Sequence, residues 1–113
     1  MSDTSLATMI RDAQRRYDEA PPEHADAAHY AYRVESARLH RLASLCRRAC
    51  GLARAGDSVV LVAPAGTSPD EVAGGLADDG AGRERVEVLC PTAEEWPAAY
   101  AAARQRAGVE VVS

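Results

Sequence analysis

Ser58-Val-Val-Leu-Val-Ala63 is the stretch that decides how this chain folds. Its residues are apolar on both faces of an extended strand, the pattern of a strand in the middle of a parallel sheet, covered on both sides. After the loop Pro64-Ala-Gly-Thr, the run Ser68-Pro69-Asp70-Glu71 has the signature of a helix start. Serine serves as N-cap, proline takes the first helical position and glutamate follows three residues after the cap. That helix should stop near Asp79-Gly80. Arg85-Val-Glu-Val-Leu-Cys90 reads as a second strand, and Pro91-Thr92 open another helical segment whose start is blurred by Pro97. Tyr100, Ala103 and Ala107 continue its buried side, Gly108 caps it, and Val109-Glu-Val-Val112 supplies a third strand. Strand, helix, strand, helix, strand with short connections implies two right-handed crossovers and a parallel three-stranded sheet.

Upstream the pattern is helical. Leu6, Met9, Ile10, Ala13 and Tyr17 form one apolar stripe, which predicts a helix over residues 4–18. Glu19-Ala-Pro-Pro-Glu-His24 breaks it. A second helix is expected over residues 25–54, where nothing but Gly51 interrupts. Its apolar positions are Ala27, Tyr30, Ala31 and Val34, then Leu39, Leu42, Cys46, Ala49 and Ala53, with a change of phase near Ser36. Such a helix is about 45 Å long, whereas a globule of this size is about 35 Å across. Either part of it projects, bends or is covered by another subunit, or it breaks near Ser36 into two ordinary helices. The fold class is therefore α/β: an N-terminal helical hairpin (1–55) followed by a β-α-β-α-β portion (56–113), together one domain spanning 1–113.

Composition narrows the setting. The chain is 47% hydrophobic and 27% charged, ordinary globular usage that suggests neither disorder nor a membrane protein. The apolar run from Val59 to Ala65 is far short of a bilayer span, and the polar Ser2, Asp3 and Thr4 stand where a signal peptide would be basic and then apolar. Three cysteines, Cys46, Cys50 and Cys90, without a secreted disulfide pattern favour a reducing compartment, so a cytoplasmic location is expected. All 13 basic residues are arginines and alanine is abundant, which reads as the coding bias of a GC-rich bacterial genome.

The net charge of −4 is unevenly spread. Between residues 31 and 55, Arg33, Arg38, Arg41, Arg47, Arg48 and Arg54 face only Glu35. Between 56 and 100, Asp57, Asp70, Glu71, Asp78, Asp79, Glu84, Glu87, Glu94 and Glu95 outnumber Arg83 and Arg85. A basic helical segment thus precedes an acidic sheet region, an asymmetry that steers an acidic partner or lets two copies attract, or that simply solvates two faces of one monomer.

Candidate sites follow from fold and charge. Ligands of open parallel sheets lie beyond the carboxyl ends of the strands, which points to the turn Gly66, Thr67, Ser68 and to Cys90, a thiol just ahead of a helix start. The turn lacks the lysine and Gly-x-Gly spacing of nucleotide loops, and Glu94 and Glu95 should raise the thiol's pKa. Cys46 and Cys50 sit one helical turn apart after His40, which suits two metal ligands, but Cys46 also belongs to the apolar stripe, so neither metal nor cofactor is expected. Arg38, Arg41 and Arg48 fall near one edge of the second helix. Without interleaved aromatics they make too weak a footprint for nucleic acid, and an acidic protein surface or a second copy is the better partner. The leading expectation is a non-enzymatic interaction or oligomerisation module using this basic hairpin. The alternative is an anion-binding or thiol-dependent enzyme at the Gly66 to Ser68 turn and Cys90.

Overall fold

Strand β1, Ser58–Val62, is the middle of a three-stranded sheet in the order β2-β1-β3, flanked by β2 (Val86–Leu89) and β3 (Val109–Val112). Both pairings are parallel, with Val60 opposite Glu87 on one side and Val111 on the other. This computed structural model describes residues 6–79 and 83–113. The expected first-helix start at Thr4 and the stop at Gly80 lie outside the described residues.

The alternation of β1 divides the core in two. Val59, Leu61 and Ala63 face a layer built from α1 (Leu6–Asp18), α2 (Ala25–Arg54) and α3 (Pro69–Asp79). Val60 and Val62 face α4 (Trp96–Arg104) through Ala103, Trp96 and Tyr100. All of β1 but Ser58 is buried, as the doubly apolar reading requires.

The second helix is continuous over 30 residues, so the alternative break near Ser36 does not occur. No proline interrupts its hydrogen-bond ladder, and Gly51 sits where a side chain would meet open space. The change of apolar phase has another cause. Every buried residue of α2 lies between Leu39 and Ala53, in the layer it shares with α1, α3 and the sheet, while the half before Leu39 buries none and meets α1 through the rings of His29 and Tyr32 on Tyr17. The helix therefore overhangs the core. The molecule measures 53 × 31 × 20 Å with a radius of gyration of 15.7 Å, against about 13 Å for a compact chain of this length. No helix among the described residues is long and apolar enough to cross a membrane.

Local chemistry sets the element ends. Gly56, at φ 102°, turns the chain out of α2, with its N–H donating to Ala53 O and that of Asp57 to Leu52 O. The Ser68 and Glu71 capping box forms as read: Ser68 N–H donates to Glu71 Oε1 at 2.9 Å and Glu71 N–H to Ser68 Oγ at 3.2 Å. A second box joins Thr92 and Glu95, but regular α4 begins only at Trp96, later than the Pro91-Thr92 start expected. The Trp96 indole N–H donates to Ala63 O at 2.9 Å, pinning α4 to the end of β1. Strand β2 begins at Val86, since Arg85 lies in a 3-10 turn with its guanidinium donating to Gly56 O. Gly75 brings α3 close to α2 and α1: a Cβ there would stand 2.7 Å from Cys46 Sγ and 2.8 Å from Leu6 Cδ1.

Candidate functional site

The three arginines of the basic edge sit in different surroundings. Arg38 turns toward α3, where one guanidinium nitrogen sits 2.8 Å from Glu35 Oε1 and 2.7 Å from Glu71 Oε2. Its side chain is only 22% exposed, and the hydrogen bonds it donates to Glu71 and then Glu35 raise its pKa above the ordinary range. Burial pushes the Glu71 carboxyl upward, but hydrogen bonds from Arg38 and Ser68 outweigh it and hold the group below its usual value. Arg38 is thus a tie between α2 and α3, with its charge already matched. Arg41 and Arg48 remain exposed, and among the described residues neither has an ion-pair partner.

On the same helix all four positions of the expected first-half stripe, Ala27, Tyr30, Ala31 and Val34, are exposed. Tyr30 at 72% and Val34 at 53% are the large hydrophobic residues left open to solvent among the described residues. They begin a line: Tyr30, Val34, Ala37, Arg41, Ser44 and Arg48 succeed each other by alternating steps of four and three residues, and all are exposed. Ala27, three residues before Tyr30, and Glu23, in the 3-10 turn Pro22–His24, extend it. That spacing is the seam of a coiled coil, where each position faces a second helix. The seam was readable as a 3-4 repeat, but periodicity alone does not say which of two apolar stripes its own chain covers. Alongside, α1 and α2 leave an open groove of about 380 Å³ lined by Ala13, Tyr17, Ala28, Ala31 and Tyr32, with Arg16 and Glu35 at its rim. Tyr17 stacks on Tyr32 at 5.5 Å and meets His29 at 5.4 Å, which stiffens this end of the hairpin.

At the carboxyl edge of the sheet the structure does bring the other candidates together. Gly66, Thr67 and Ser68 line one side of an open hollow of about 620 Å³, with Cys90, Pro91 and Thr92 on the other. Its donors are largely committed. Thr67 N–H donates to Pro64 O, Ser68 N–H to Glu71 and Thr92 N–H to Glu95. The Thr67 hydroxyl is buried without a hydrogen-bond partner among the described residues. Burial raises the Cys90 thiol above its ordinary value and the charge of Glu71 adds to this, so the protonated form is favoured. The carboxylate responsible is Glu71 rather than the expected Glu94 and Glu95. Glu95 is instead bound by the backbone and hydroxyl of Thr92, which lower its own pKa.

Cys46 and Cys50 are fully buried in the helical layer, whereas His40 is exposed, so the i, i+4 thiols and this imidazole do not converge. Among the described residues no group of three or more His, Cys, Asp or Glu is placed to hold a metal ion. No family model matches the chain, and no curated protein or solved structure matches it either.

Proposed function

We propose that this chain is a small non-enzymatic interaction module, which self-associates or docks an acidic protein surface through the outer face of its long helix. The observation that carries the reading is the exposed seam of α2. A helix that overhangs its core by half its length and presents Tyr30 and Val34 to solvent keeps apolar surface that its own chain does not cover. Arg41 and Arg48 continue the same face with unmatched positive charge, suited to an acidic counterpart. Three free thiols, Cys46, Cys50 and Cys90, suit a reducing compartment, and we place the module in the cytoplasm on that ground.

The test is the assembly state of the untagged protein beside an Arg41→Glu, Arg48→Glu variant, by light scattering after gel filtration. The reading requires a complex, with itself or with an acidic peptide, that the double variant loses while its helical circular dichroism stays unchanged. Assembly that ignores both arginines removes this surface from consideration.

The second reading keeps the hollow at the carboxyl edge as a small-ligand or thiol site. What favours it is the buried Thr67 hydroxyl, unpartnered among the described residues, beside an open space. Glu71 and the raised thiol work against anionic ligands and nucleophilic chemistry there.

A further inference from the structure

The seam of α2 is complementary to itself when reversed, and from this we infer that the partner is a second copy of the same chain, its long helix packed antiparallel on this one. The inference rests on the proposed docking role of that face and adds the identity of the partner and the register.

Laid antiparallel with Val34 opposite the Ala37 of the second copy, every seam position meets another seam position. Tyr30 then faces Arg41, Ala27 faces Ser44, and Glu23 faces Arg48, each pair occurring twice about the two-fold axis. Each layer is chemically matched. The centre is apolar and small, the next layer sets a guanidinium against an aromatic face, the third is small against small, and the outermost joins opposite charges. Among the described residues Glu23, Arg41 and Arg48 have no ion-pair partner within the chain, so these charges are open to a second copy. Arg38, which would add a like charge near the centre, is already bound by Glu35 and Glu71. A parallel pairing fails on the same residues: Glu23, Arg41 and Arg48 would each meet their own copy, which repels. An antiparallel pair of hairpins is also a four-helix arrangement, with α1 on the flank of each long helix.

The experiment combines sedimentation equilibrium with cysteine pairing in a Cys90→Ser background, where Cys46 and Cys50 remain buried. Ala27→Cys and Ser44→Cys are small changes at exposed seam positions. Mixed and oxidised, the two variants should give a disulfide-linked heterodimer. Ala27→Cys alone should give none, because its two copies lie about 25 Å apart along the antiparallel axis. Glu23→Arg and Arg48→Glu should each weaken the dimer about tenfold, and the two together in one chain should restore it. Self-linking by Ala27→Cys, or a dimer in which Ala27→Cys and Ser44→Cys do not link, overturns the register while leaving docking by α2 intact. A chain that stays monomeric at high concentration overturns the identity of the partner. If that monomer binds an acidic peptide through Arg41 and Arg48 the docking role survives; if it does not, both fall.

Discussion

Replacing Gly75 by alanine sets two known effects against each other. Glycine in a helix interior costs about 1 kcal/mol relative to alanine, so on propensity alone Gly75→Ala should stabilise α3. The added Cβ would stand 2.7 Å from Cys46 Sγ and 2.8 Å from Leu6 Cδ1, well inside ordinary contact, and Cys46 is fully buried. Relief requires the buried Cys46 and Leu6 side chains to shift, or the helices to part, an overpacking cost of about 1–3 kcal/mol. The clash should win by about 1 kcal/mol, lowering the melting temperature by about 4 °C. Trp96, stacked on Tyr100 against the sheet, reports unfolding by its fluorescence. In Cys46→Ala the sulfur is gone, so adding Gly75→Ala there should cost less than it does in the parent, a coupling of about 1 kcal/mol. A Gly75→Ala protein that melts higher than the parent would refute the close approach of α3 to α2 and α1.

Arg38→Met should destabilise by about 1–2 kcal/mol in chemical denaturation, because it strips a half-buried Glu71 of its partner, although exposure of the pair limits the loss. Glu71 has a depressed folded pKa, so its stabilisation is full above the unfolded value near 4.5 and is lost as pH falls through the folded value. Glu71→Gln should therefore melt lower than the parent at neutral pH, with the gap closing in acid; a gap independent of pH would contradict this assignment. Alkylation of Cys90 should titrate above the ordinary thiol range, and an apparent pKa below it would revive the thiol-enzyme reading. Val34→Asp, at an exposed position, should leave the melting temperature of the monomer within about 1 °C while abolishing self-association.

Much of the α/β portion was legible because its signals are local. The Ser68-Pro69-Asp70-Glu71 run carries its own capping geometry, and Val59 to Val62 can be comfortable only between two layers. The start of α4 was harder, since Thr92 and Pro97 offer competing helix origins and the chain uses the first for a capped turn and enters the helix at Trp96. The long helix forms over residues 25–54 as expected, and the open question was whether it breaks near Ser36. A change of apolar phase looks like a break, but here it records a change of neighbours along an unbroken ladder. Glu35 lies one turn from Arg38 and could have been paired with it by spacing, whereas Glu71, 33 residues away, is brought there only by the packing of α3 on α2. That contact is why one arginine of the candidate edge is structural while Arg41 and Arg48 stay open.

If the outer face of α2 receives a second copy of this chain, sedimentation equilibrium of the parent and of Val34→Asp, side by side across a wide concentration range, separates the two proteins. The parent should fit a monomer–dimer equilibrium and Val34→Asp a monomer throughout. Identical behaviour of the two, whether both monomeric or both dimeric, would contradict that role of α2.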